Sequence, residues 1–229
     1  MERQHKNKQK RLSGRFKNSN LAQAWLVLVL ALVFGTALAA VQVNLGHVIE
    51  ANKINETLAQ IPQLVFGADA ARKMDAGNVP VEIIPGTMAI QKDGRNAYYS
   101  LFRVDRDGAL AGWVIKARGQ GYADTIELLI GLDAQAKTIT GLFILEQKET
   151  PGLGNKIGTV RWRSQFVNRA TDRPLVVVKR GSGRPDAIDA VTGATISSRS
   201  VTRIVNRTIG DLRGKLMPEK IQFSERRSK

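Results

Sequence analysis

The spacing of apolar residues divides the chain into regions. Residues 24–43, AWLVLVLALVFGTALAAVQV, carry no charge and little polarity. A helix of that length crosses a hydrocarbon layer. It lacks the polar stripe of a helix lying on a soluble core. Between 46 and 61 the pattern changes. Val48, Ile49, Ile54, Leu58 and Ile61 recur at roughly helical spacing and predict a helix leading away from the span. Residues 62–78 are small and mixed and read as a connector. Five strand-like runs follow, at 79–84, 97–104, 110–117, 125–132 and 138–145, with Asp93-Gly94 and Asp107-Gly108 as turns. Ile126, Leu128 and Ile130 alternate onto one face. No long helical crossover separates the runs, so the sheet is expected to be antiparallel.

After Leu145 the texture changes again. Glu149-Thr150-Pro151-Gly152-Leu153-Gly154-Asn155 reads as a loop. Residues 160–166 suit a short helix with Trp162 and Phe166 on one side. Residues 175–178 suit a short strand. Residues 197–212 suit a helix whose apolar stripe is Val201, Ile204, Val205, Ile209 and Leu212. The fold class is α+β: one N-terminal transmembrane helix, then a domain with a largely antiparallel sheet and flanking helices. The expected division is 1–20 basic segment, 21–43 span, 44–78 helical linker, 79–215 folded domain and 216–229 basic tail.

Charge changes the picture in one respect. The 229 residues carry a formal net charge of +15, which invites nucleic acid. Residues 1–20 hold seven of the basic residues against one acid, Glu2, and Lys220, Arg226, Arg227 and Lys229 cluster in the tail. No nucleic-acid motif accompanies them, and no nucleic-acid partner is expected. The basic start, Lys6 to Lys17, is instead the side of the span expected to stay in the cytoplasm. That puts residues 44–229 outside, in a periplasm where the cell has one. A small-residue stretch at Thr36–Ala39 resembles a signal-peptidase site, but the apolar run is longer than a usual signal core, so a retained anchor is expected.

The residue inventory narrows the chemistry. Cysteine is absent, and the two histidines, His5 and His47, lie outside the expected domain. Disulfides, thiolate chemistry, a histidine zinc site and a Ser-His-Asp triad are thereby set aside. No metal site and no catalytic group stand out.

Two short stretches remain. Thr192-Gly193-Ala194-Thr195 directly precedes the last helix. Gly193 frees the backbone, Ala194 adds little bulk, and Thr195, Ser197 and Ser198 bring hydroxyls to a helix start. That arrangement suits a phosphate, and it equally suits an ordinary N-cap by Thr195 or Ser197. In Glu149–Gly154, Pro151 fixes one angle and the glycines free others, so the loop can pass close to a planar ligand or merely connect.

Taken together, Asp189-Ala190-Val191-Thr192-Gly193-Ala194-Thr195-Ile196-Ser197, Lys148–Gly154 and Gly119-Gln120-Gly121-Tyr122 give a resemblance over nearly the full length. The chain resembles the G subunit of Rnf-type (Rsx) membrane electron transport complexes. That protein is a relative of the C subunit of sodium-translocating NADH:quinone reductase. Gln147 stands where many members carry histidine, and Ala123-Asp124 where many carry a second glycine pair. The resemblance implies a covalent FMN-binding domain over 79–215, with the FMN phosphate esterified to Thr195. Thr192, Gly193 and Ala194 would form the neck presenting that hydroxyl, with Ser197 beside it. Asp189 would serve the flavin transferase that installs the group, holding Mg²⁺ or orienting the loop. Glu149, Thr150, Gly152, Leu153, Gly154 and Tyr122 would contact the flavin. Lys156 and Arg199 are candidates to balance the phosphate, and Trp162 to pack by the ring, though an ordinary surface charge for the two cations and a core place for Trp162 are the commoner roles. The implied partners are the other membrane subunits of such a complex, coupling ferredoxin and nicotinamide redox chemistry to ion movement in the inner membrane. A stand-alone FMN protein and a non-redox scaffold are the alternatives.

Overall fold

A computed structural model of the chain describes residues 20–77, 79–92, 94–179, 181–216 and 221–223. The basic start and most of the basic tail lie outside these residues. So do His5, Asp93 of the expected first turn and the side chain of His47.

The described residues form two compact units that divide between Ile54 and Asn55. The first contains most of helix α1 (Asn20–Phe66), whose stretch Gln23–Leu45 is long and apolar enough to cross a membrane. Its side chains there, such as Trp25, Phe34 and Leu38, are exposed.

The second unit begins with the end of α1, residues 55–66. The helix continues past Pro62 to Phe66, and α2 (Ala68–Ala76) follows, where the small mixed composition predicted a connector. The reason is tertiary. Ile61 and Leu64 are buried against Val104, Val114 and Leu129, with Val65 and Phe66 packed alongside. Packing of this kind overrides a local breaker.

Five strands, β1 (Val81–Lys92), β2 (Arg95–Arg106), β3 (Ala109–Gln120), β4 (Thr125–Asp133) and β5 (Thr138–Glu146), form an antiparallel meander. Short β6 (Arg169–Ala170) and β9 (Gln222–Phe223) extend it to seven strands in the order β6-β5-β4-β3-β2-β1-β9. Alternation sorts its two faces. Ile126, Leu128, Ile130, Trp113 and Ile115 join one core, whereas Leu129 and Val114 join the core under α1. Glycines allow α1 its close approach. A Cβ on Gly131 would lie 2.6 Å from the Leu64 carbonyl oxygen, and one on Gly141 2.9 Å from the same atom.

The opposite face carries the remaining elements. Two 3₁₀ turns, Gly154–Gly158 and Ser164–Phe166, flank the short helix α3 (Val160–Arg163). β7 (Val176–Val178) and β8 (Ala187–Asp189) pair in parallel. Helix α4 (Thr195–Leu212) buries the expected stripe of Val201, Ile204, Val205, Ile209 and Leu212. It starts two residues earlier than the apolar pattern predicts. Trp162 is a core residue. It is buried edge-on to Phe166 at 5.2 Å, and its ring N–H donates to the Asp189 carbonyl at 2.8 Å.

Candidate functional site

The loop before α4 turns at Gly193, whose φ of 80° lies in the left-handed region that favours glycine. A Cβ there would also meet Leu153 Cδ2 at 2.9 Å. The Ala194 amide closes the turn on the Val191 carbonyl, and Ala194 is the N-cap. No side chain caps this helix. The cap role open to Thr195 or Ser197 in the sequence is therefore not taken by either. Thr195 is the first helical residue. The Ser197 hydroxyl is buried and donates to Glu149 Oε2 at 2.5 Å. The Ser198 hydroxyl donates to the Ala194 carbonyl and accepts from the Val191 amide, both at 3.0 Å. The half-buried Thr195 hydroxyl has no hydrogen-bond partner among the described residues.

The backbone at this end is equally uncommitted. The Ser198 amide is the first to reach back along the helix, to the Ala194 carbonyl at 3.1 Å. The amides of Thr195, Ile196 and Ser197 precede it and have no helical acceptor. Free amides and the positive end of the helix dipole together favour an anion.

Glu149 joins this helix start to two other segments. It is only 4% exposed. Its Oε1 accepts from the amides of Tyr122 at 2.8 Å and Ala123 at 3.2 Å, while Oε2 takes the Ser197 hydroxyl. Residues 48 positions apart in sequence thus meet at one carboxylate. The joint needs small neighbours. A Cβ on Gly121 would lie 2.3 Å from Glu149 Oε1, and one on Gly154 would lie 2.9 Å from Ser197 Oγ.

A cavity of about 480 Å³ opens over the joint. Thr195, Ser197, Ala194 and Gly193 form one wall, with Thr150, Leu153 and Gly154 opposite and Tyr122 at the rim. Tyr122 is 62% exposed, and Leu153 is 44% exposed. The sequence missed Ile196, which lines the cavity and is 54% exposed. Its signal was an apolar residue off the buried stripe in the first turn of α4. Four expected residues do not line the cavity. Thr192 is exposed beside it, and Glu149 lies beneath it. Gly152 has φ 75°, but nothing lies within 4 Å of a Cβ placed there, so added bulk at Gly152 has room. Asp189 faces elsewhere: its Oδ1 accepts from the Gly181 amide at 2.8 Å. Lys156 and Arg199 are exposed and do not line the cavity either.

Residues 121–210 match the model of the FMN-binding domain family. The G subunit of the Na(+)-translocating ferredoxin:NAD(+) oxidoreductase complex of Acetobacterium woodii is 32% identical over 179 residues, covering 76% of this chain and 84% of the relative. The chain belongs to the FMN-binding domain family. The G subunit of the ion-translocating oxidoreductase complex of Methanosarcina acetivorans is also 32% identical, over 52% of this chain and 61% of that one. The crystal structure of NqrC from Shewanella oneidensis superposes with a TM-score of 0.55 at 20% identity, covering 70% of this chain and 93% of that one. The C subunit of the Na(+)-translocating NADH-quinone reductase from Parabacteroides distasonis gives 0.53 at 22%, covering 72% and 92%. These two show the shared fold.

The residues fit the family's ligand. The cavity falls in the range that holds cofactor-sized molecules, about 300–1,000 Å³. It offers free amides and an unpaired hydroxyl for a phosphate. Leu153, Ile196 and the Tyr122 ring provide apolar surface for an aromatic ring system.

Proposed function

We propose that this chain is the membrane-anchored electron-relay component of an Rnf-type complex, carrying FMN joined through its phosphate to Thr195 Oγ1. The single observation that carries the attachment point is the Thr195 hydroxyl. It is unpaired, at an uncapped helix start, in the wall of the cavity. The neighbouring Ser197 and Ser198 hydroxyls are already engaged. Thr192 is exposed outside the wall.

FMN supplies one- or two-electron transfer; the protein supplies position and surroundings. Thr195 Oγ1 would hold the flavin: its O–H bond would give way to an O–P bond as the P–O bond between the flavin phosphate and the donor's leaving group breaks and the hydroxyl proton departs, a net gain of FMN less one water. The amides of Thr195, Ile196 and Ser197 would hold the remaining phosphate charge at the positive end of the helix dipole. Leu153 and Ile196 keep water from one part of the site, and the Glu149 joint holds Tyr122 at the rim. Maturation calls for a flavin transferase, with Asp189 assisting through the loop rather than the cavity wall. The flavin-carrying domain spans 79–215.

The relatives support the partners: the Acetobacterium complex is a Na(+)-translocating ferredoxin:NAD(+) oxidoreductase. We place this chain among the subunits of a complex of that type, with the flavin domain on the outer face of an inner membrane. The experiment is expression with its transferase, followed by denaturation. Flavin absorbance that stays with the polypeptide supports the reading, and a colourless denatured chain overturns the covalent link. Membrane subunits that co-purify support the complex over a stand-alone flavoprotein.

A further inference from the structure

The ladder between β2 and β3 stops early. Ser100 and Lys116 form its last pair, yet β2 starts at Arg95 and β3 runs to Gln120. Residues 95–99 stay paired to β1, and 117–120 stay paired to β4. The sheet therefore forks. Each prong has one edge without a strand, leaving backbone donors and acceptors facing the gap. A cavity of about 630 Å³ occupies the fork, bounded by Tyr98, Tyr99, Lys116 and Arg118 of the strands and by Arg207 and Asp211 of α4.

Its charge is unbalanced. Lys92 is held by Asp211 at 2.8 Å and Lys116 by Glu127 at 3.2 Å. Arg118 is exposed and has no acidic partner among the described residues. Arg207 donates to the Arg118 carbonyl at 2.6 Å. Two guanidinium charges thus remain without a carboxylate hydrogen-bonded to them. Thr208 also lines the cavity, with a fully buried hydroxyl that has no hydrogen-bond partner among the described residues.

We propose that this fork is the docking site of an extended acidic segment of a partner protein, which adds as a strand along the free edge of β2. Main-chain hydrogen bonds to residues 95–99 give the affinity, and Arg118 and Arg207 select the charge. The free edge matches an ordinary strand of roughly five to six residues. The chain's own ends are poor occupants. Residues 1–20 are strongly basic, and 224–229 carry Arg226, Arg227 and Lys229 against Glu225. A second copy, at a net charge of +15, is repelled as well. The inference does not depend on flavin, so it stands or falls apart from the reading above.

The test uses the full chain in detergent and a fluorescent peptide of repeated Glu-Val. Binding is expected to be at least about tenfold tighter than for a Lys-Val repeat and to weaken with salt. Arg118→Glu is expected to lower it about tenfold without changing the melting temperature. Hydrogen exchange on the unaltered protein gives a readout that needs no variant: amides in 95–99 become protected when the peptide is added. Equal binding of the Lys-Val repeat overturns the proposal. So does unchanged exchange in 95–99, or equal binding of a backbone-N-methylated Glu-Val peptide, which carries the charge but cannot complete the ladder.

Discussion

Glu149 fixes the geometry of the candidate site more than any other single side chain. Its two oxygens satisfy the amides of Tyr122 and Ala123 and the hydroxyl of Ser197. Glu149→Ala leaves the buried Ser197 hydroxyl and two part-buried amides without an acceptor, at about 1–3 kcal/mol. Glu149→Gln keeps the volume and one acceptor oxygen but faces an NH₂ toward one set of donors. Both variants should unfold at lower denaturant than the wild type, the alanine variant further. Both should shift the flavin absorbance by freeing Tyr122. Denaturation curves and spectra measured together check this; a flavin spectrum identical to wild type in both variants would disconnect the joint from the ring. None of this was legible in sequence. Glu149 stood out as part of a loop, but its partner lies 48 residues away, and no local pattern encodes that contact. Thr195 came from the resemblance of its motif: from the residues alone the phosphate and N-cap readings stood level, and the apolar stripe placed the helix start two residues late.

The strands were readable because one face of the sheet is covered differently from the other, which forces alternation. The end of α1 was not, because Pro62 is a local stop signal and Leu64 is buried only through the sheet. The glycines explain that contact, and they make a test at this scale. Gly131→Ala places a methyl 2.6 Å from the Leu64 carbonyl oxygen. Overpacking of this kind costs about 1–3 kcal/mol, read as a lower denaturation midpoint with flavin attachment intact. A midpoint equal to wild type would mean that α1 rides higher on the sheet. The β1–β2 hairpin is tied to α4 in another way. Tyr99 donates to Asp211 at 2.5 Å beside Lys92. Burial, then the hydrogen bond and charge of Asp211, push the Tyr99 phenol up to about 12. Burial opposes the ionised form of Asp211, but hydrogen bonds from Lys92 and Tyr99 outweigh it and hold the carboxyl below the usual range. The signs differ. Tyr99 adds stability that is present below about pH 10 and is lost as pH rises toward 12. Asp211 adds stability that is present above about pH 4 and is lost as pH falls through its lowered value. An ultraviolet titration should show one of the three tyrosines ionising near 12, and Tyr99→Phe should remove that step. A late step that persists in the variant would contradict the assignment.

At the scale of the whole molecule, the sequence offered a span and an asymmetry of charge around it. The uncharged stretch Gln23–Leu45 follows seven basic residues. The positive-inside rule then predicts that alkaline phosphatase fused after residue 60 is active and a cytoplasmic reporter there is silent. The reverse pattern would put the flavin domain in the cytoplasm. The central claim is the bond at Thr195, and intact mass of the whole chain tests it most directly. Protein made with its flavin transferase should be heavier by one FMN less water, and proteolysis should confine that mass to the peptide holding Thr195. Thr195→Ala should remove the added mass entirely while the domain stays folded, since Thr195 caps nothing. An adduct that persists in the alanine variant, or an unmodified wild-type chain under the same conditions, would contradict the account.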